Sequence, residues 1–247
     1  MKEQLYTIPV NDAFNGEHEC PLCTLRNDLE RNAVEFTLGP SYMEDDNRAV
    51  TDSLGFCEKH IQTLYQQKNR LGLALILSTH IAKITRDLEQ LSKEPAQPGK
   101  GLLKKKTDTP MSAYISSLEQ NCFVCDRVKT VFQRYIETIF HMYKKDPAFP
   151  EKLRGSKGFC TYHYALLFEQ APDYLAKDQL SSFLSDLNTT YFTNMRRTQE
   201  DLAWFINKFD YRYQNEPWKN AKDALPRAVL KSHSAVTPDL NDMPGQQ

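Results

Sequence analysis

Cys20-Pro21-Leu22-Cys23 is followed by Gly55-Phe56-Cys57-Glu58-Lys59-His60, and both signatures then return as Cys122-Phe123-Val124-Cys125 and Gly158-Phe159-Cys160-Thr161-Tyr162-His163. The cysteine pairs are offset by 102 residues and the Gly-Phe-Cys-x-x-His motifs by 103. This pattern uses all six cysteines and two of the six histidines. One Cys-x-x-Cys pair alone is a weak signal. A second occurrence with the same ligand types in the same order marks an internal repeat with a metal site in each copy. Cys20, Cys23, Cys57 and His60 are expected to share one ion, and Cys122, Cys125, Cys160 and His163 a second.

The residue types fit that chemistry. Structural zinc takes four thiolate or imidazole ligands in a tetrahedron. Residues three apart at a helix start share a face, which suits Cys57 with His60 and Cys160 with His163. Pro21 fixes φ in the first cysteine pair. Gly55 and Gly158 permit a left-handed turn into the next helix. Free N–H groups at such a helix start favour thiolate over thiol, and Lys59 and Lys157 are candidates to offset the remaining negative charge. Other uses of the cysteines fit less well. Disulfides leave both histidines unexplained. A thioredoxin-like pair needs a βαβ pattern, and a c-type haem needs histidine where Thr24 and Asp126 stand. Iron–sulfur clusters with Cys3His ligation remain the alternative to two zinc ions.

Around these motifs the hydrophobic spacing is helical. Leu25, Leu29, Ala33 and Phe36 recur at intervals of three or four. So do Leu73, Leu77, His80, Ile84, Leu88 and Leu91, then Val128, Phe132, Tyr135 and Ile139, and finally a run from Leu180 to Phe209. His80 aligns with Phe183 in the second copy and reads as a core position. The one strand-like stretch, Tyr6 to Val10, holds Pro9 and reads as an extended arm. The expected fold is all-α, with two tandem metal-binding helical repeats packed as a bundle: residues 1–97, a Pro/Gly/Lys-rich linker at 98–110, a second repeat at 111–230, and a disordered tail at 231–247.

The 247 residues carry a formal net charge of -1, which gives no global reason to hold nucleic acid or an anionic membrane. No apolar run approaches the roughly 18 residues that span a bilayer, and the N-terminus lacks a secretory pattern, so a cytoplasmic protein is expected. One segment lacks a counterpart in the other copy: the acidic run Glu44, Asp45 and Asp46 between Tyr42 and Arg48. It reads as a helix start with Ser41 as N-cap, or else as an enzyme or hard-cation site. Tyr42, Glu44, Asp45, Asp46, Arg48 and Arg70 are therefore the candidate ligand-binding residues.

CPLC, GPSYMEDDNR, GFCxxH, NRLGLAL and EPWKNAKDALPRA (Glu216 to Ala228) together resemble an uncharacterised bacterial family of unknown function, over nearly the whole chain apart from the linker and tail. The resemblance implies no activity. With both ligand sets complete at four, the sequence favours a non-enzymatic binding or regulatory module that acts on a protein partner or a small ligand. The alternatives are an iron–sulfur redox protein and an enzyme centred on Tyr42–Arg48.

Overall fold

The computed structural model describes residues 2–93 and 109–237, with side chains from residue 5 onward. The described residues form α-helices and two short 3-10 turns, with no strand among them. In order, the helices are α1 (Lys2–Asn15), α2 (Pro21–Leu38), α3 (Asp45–Leu54), α4 (Glu58–Gln66), α5 (Arg70–Leu91), α6 (Pro110–Gln120), α7 (Phe123–Lys145), α8 (Phe149–Gly155), α9 (Thr161–Tyr174), α10 (Lys177–Asn207) and α11 (Ala224–His233). The 3-10 turns are Pro40–Met43 and Tyr211–Tyr213. The expected linker lies almost entirely outside the described residues, as does the tail from 238.

Helices follow one another in a similar order around both copies of the motifs. A first helix, a helix opening on Cys-x-x-Cys, a short helix, a helix opening on Cys-x-x-His and a long helix occur as α1 to α5 and again as α6 to α10. The compact units do not follow that order. One unit comprises residues 1–27 and 132–247, and the other comprises 28–131. Both boundaries fall inside helices, in α2 and α7. The domains expected from the repeats, 1–97 and 111–230, are therefore replaced by an exchange. Each repeat's leading helix and cysteine pair belong to the unit built from the other repeat's body.

Continuity of the helix explains this outcome. α2 is an unbroken run of 18 residues, about 27 Å from end to end. Its first turn therefore stays far from the core that its last turns help to build. In the 28–131 unit, Ala33, Val34 and Leu38 of α2 are buried with Leu64, Leu73 and Ile76 of α4 and α5 and with Cys122 and Val124 at the start of α7. The Asn69 amide donates to the Leu38 carbonyl at 2.8 Å, while its side-chain oxygen caps α5 by accepting from Gly72 N–H at 2.9 Å. The Asn69–Gly72 break between two helices thus forms where the sequence places it.

The other unit has an aromatic core. Phe183 of α10 is fully buried, 5.2 Å from the Phe140 ring and 4.9 Å from the Tyr143 ring of α7. Phe14 of α1 packs on Phe149 at 5.0 Å and on Phe159 at 6.1 Å. That burial overturns the extended arm expected at Tyr6–Val10. Val10, Ala13 and Phe14 form one buried helical face, and the hydrogen bond lost at Pro9 does not outweigh it. The tail expectation also changes, because α11 continues to His233 and Lys231 is 1% exposed. Ser41 is not a helix N-cap. It lies in the Pro40–Met43 turn and donates to the Phe36 carbonyl, while Glu44 occupies the cap position of α3 and Asp45 and Asp46 its first turn. The acids therefore do face the helix dipole.

Two glycines have enforced conformations. Gly55 has φ +60°, and a Cβ there would come within 2.9 Å of the His80 ring; Gly158 has φ +79°, with the Thr190 carbonyl 3.2 Å from a Cβ. His80 is half-buried, with Nδ1 2.9 Å from the Asp52 carbonyl oxygen. Replacing Phe183→Ala would empty the centre of the aromatic core. The expected cost is about 3–5 kcal/mol, measured as a lower urea midpoint with both metal centres loaded.

Candidate metal centres

Four helices present metal-ligating side chains at the same two places. Cys57 is the N-cap of α4 and Cys160 that of α9, with His60 and His163 at the third helical position. Cys20 and Cys122 stand just before α2 and α7, and each accepts the first helical bond, from Thr24 and Asp126 N–H. Cys23 and Cys125 follow three residues later. Each pair therefore sits where backbone N–H groups are unpaired and the helix dipole favours negative charge.

All eight ligands come together, but not in the pairing read from the sequence. Cys20 and Cys23 cluster with Cys160 and His163, whereas Cys57 and His60 cluster with Cys122 and Cys125. In each quartet the donor atoms lie within 4.8 Å of one another. Expecting both halves of a site in one repeat fails because the cysteine pair leads a continuous helix into the other unit. In the 28–131 unit, Phe123 N–H donates to the Gly55 carbonyl at 2.9 Å, and the Phe56 and Phe123 rings meet edge to face at 6.4 Å. These contacts hold the Gly-Phe-Cys turn of the first repeat against the cysteine pair of the second.

The first centre, Cys20/Cys23/Cys160/His163, is entirely buried. His163 Nδ1 is 3.4 Å from Cys20 Sγ, 3.4 Å from Cys23 Sγ and 3.2 Å from Cys160 Sγ, and Cys23 and Cys160 sulfurs are 3.6 Å apart. Ser234 Oγ donates to Cys160 Sγ at 3.0 Å. The Phe132 ring lies 5.4 Å from the His163 ring, and the buried Nε2 has no hydrogen-bond partner. Lys231 donates to the carbonyls of Glu19 and Lys157 and pairs with the Glu19 carboxylate at 3.3 Å. It is the buried cation beside this centre. Lys157, the cation expected there from sequence, pairs instead with Glu17 at 2.7 Å.

The second centre is more open. Cys125 is exposed and Cys57 only partly covered. His60 Nδ1 lies 3.2 Å from Cys57 Sγ and 3.3 Å from both Cys122 and Cys125, and Cys57 and Cys125 sulfurs are 3.9 Å apart. With Nδ1 turned to the sulfurs, Nε2 carries the proton and donates to Glu30 at 3.2 Å. Lys59 pairs with the same carboxylate at 2.6 Å. Burial raises the Glu30 carboxyl, but Lys59 and His60 outweigh it and hold the group below its usual range.

The thiols show what the quartets need. Burial pushes Cys20 up to about 12, and Cys125 rises to about 12 through burial and its neighbours Cys122 and Cys57. Cys160, which accepts hydrogen bonds from Cys20 and Cys23, is drawn down instead. Three buried thiolates in one quartet need a cation to hold them. The donor distances fit one: tetrahedral zinc sets sulfurs about 3.8 Å apart and nitrogen about 3.6 Å from sulfur.

The other candidate residues do not gather into a site. Glu44, Asp45 and Asp46 are exposed. The cavity beside Tyr42 and Arg48 measures about 10 Å³, room for about one water. Arg70 is exposed, donates to the Tyr65 carbonyl and covers the Tyr65 ring at 4.2 Å. Glu30, Phe132, Lys231 and Ser234 were missed because they reach the centres from other elements and no spacing links them to the motifs.

No described helix is long and apolar enough to cross a membrane. Residues 1–239 match the model of DUF6062, a family of unknown function, and the chain belongs to that family. No curated protein and no solved structure matches it.

The different exposure of the two centres predicts two phases of metal release to a chromogenic chelator, the faster from Cys57/His60/Cys122/Cys125. Glu30→Gln is expected to weaken that centre about 10- to 100-fold and to leave the slow phase unchanged. A single release rate, or a change in the slow phase, would contradict this assignment.

Proposed function

We propose that this member of DUF6062 is a non-catalytic binding module whose two helical units are each closed by a structural zinc ion. The carrying observation is the completeness of each quartet. Three thiolates and one imidazole fill a tetrahedral ion and leave no open position for substrate or activated water. Two helix N-termini face each quartet and offset the net negative charge of a zinc bound by three thiolates.

Spacing favours zinc over an iron–sulfur cluster. A cluster places its protein ligands on different irons, with inorganic sulfide between them. Donor atoms within 4.8 Å of one another surround a single ion. The enzyme reading at Tyr42–Arg48 loses support because its carboxylates face solvent and its cavity holds no substrate. Six unpaired thiols suit a reducing compartment, as a cytoplasmic protein would have.

Zinc explains how the exchanged architecture is held. The first centre joins residues 137 to 143 positions apart, so it closes a very long loop onto the leading segment. Structural zinc contributes about 10–16 kcal/mol of apparent free energy in zinc-finger peptides, comparable with a whole domain's stability of about 5–15 kcal/mol.

Elemental analysis of freshly purified protein is expected to give two zinc per chain and no iron or acid-labile sulfide. Complete removal by chelation should abolish the cooperative melt, and zinc should restore it. An unchanged melt in protein shown to be metal-free would refute the structural role. Brown protein with visible absorbance, when prepared without oxygen, would refute zinc.

A further inference from the structure

The chain between α10 and α11, residues 208–223, holds only the short Tyr211–Tyr213 turn; connections this long are commonly functional or disordered. This one is pinned. Lys208 is buried and donates to the carbonyls of Tyr213 at 2.7 Å and Gln214 at 2.8 Å. Trp204 Nε1 donates to the Pro217 carbonyl at 3.0 Å. Arg227 is 8% exposed, donates to the Asn220 carbonyl, and pairs with Asp201 at 2.8 Å and Asp223 at 2.9 Å. Its buried Nε has no partner.

The pinned chain forms one wall of a cleft of about 630 Å³ within the unit that holds the first metal centre. Five cations line the cleft, Lys157, Arg197, Lys219, Lys222 and Arg227, against the carboxylates of Glu19 and Asp223. Glu17 and Asp201 also pair with these cations, so five cations face four carboxylates. Lys157, Arg197 and Arg227 have carboxylate partners. Lys219 and Lys222 have none among the described residues. Lys219 is also one of three described non-glycine residues with positive φ, at +53°, and its ammonium rests 3.8 Å from the Trp204 ring centroid. Lysine takes that backbone conformation only at a cost, and such strain gathers at ligand clamps. Here it sets Lys219 on the wall of a cationic cleft.

We propose that this cleft binds a small phosphorylated molecule, with its phosphoryl dianion held between Lys219 and Lys222 and supported by Arg197. Two ammonium groups without a carboxylate partner among the described residues match a dianion in charge, and Lys219 rests on the Trp204 ring. Asn194, Ser156 and Asn220 also line the cleft and give it polar walls suited to a hydroxylated body. The volume falls within the usual range for small-ligand sites, about 300–1,000 Å³. The inference supplies a ligand class for the binding role and rests on that reading.

The test is calorimetric titration of the full chain, with its metal content measured in each sample, using inorganic phosphate, glycerol 3-phosphate and AMP at constant ionic strength. Expected is saturable binding of one molecule per chain, with at least one ester tighter than inorganic phosphate. Lys222→Ala and Lys219→Gly should each weaken it about tenfold. Neither should lower the melting temperature, since Lys222 is exposed and glycine accepts the positive φ at 219. Absence of saturable binding by all three probes would overturn the proposal, as would unchanged affinity in both variants. Tighter, length-dependent binding of an oligonucleotide would also overturn it, in favour of a nucleic-acid backbone. Failure with both centres filled would reject the cleft and leave the zinc reading standing.

Discussion

Each metal quartet is assembled where the N-termini of two helices meet, and this meeting constrains the rest of the molecule. A thiolate in a buried site needs compensation; unpaired backbone N–H groups supply part of it here, and a metal ion held by the quartet could supply the rest. Placing the ligands at the cap and third positions makes the first turn of α2, α4, α7 and α9 part of a centre. The direction in which each helix leaves its centre then follows from the turn. Gly55 and Gly158 serve this geometry, because their positive φ aims the chain into the cap cysteine two residues later.

The exchanged pairing follows from that constraint together with the stiffness of a helix. α2 carries Cys20 and Cys23 at one end and the core residues Ala33, Val34 and Leu38 toward the other. Its cysteine end belongs to one unit and its core end to the other. α7 repeats the arrangement with Cys122 and Cys125 against Ile136, Ile139 and Phe140. A cut between the two repeats, at the 98–110 linker, therefore splits both quartets.

Similar ligands do not make equivalent centres. His60 is oriented by Glu30, which Lys59 also pairs, and its centre reaches solvent through Cys125. His163 is oriented by packing against Phe132, and its centre is sealed by Ser234 and the buried Lys231–Glu19 pair. Lys231 also ties α11 to the metal-bearing turn, and Arg227 of the same helix orders one wall of the cationic cleft. A single short helix therefore couples the covered metal centre to the candidate ligand site.

The sequence by itself determined the ligand types, their number and their helical setting. Chemistry-bearing residues at fixed short spacing are local, and so is the three-to-four periodicity that marks α2, α5, α7 and α10. The repeat was legible for the same reason. The leading helix was less so, because Pro9 argues against a helix locally and only burial of Val10, Ala13 and Phe14 outweighs it. Tertiary structure alone decided which cysteine pair meets which histidine, since identical local motifs have no preference written into them and the choice depends on where a rigid helix delivers its far end. It also decided that Glu30 and Lys231 serve the centres, and that Glu44, Asp45 and Asp46 do not form a site. Their roles depend on burial and on neighbours distant in sequence, which no local spacing encodes.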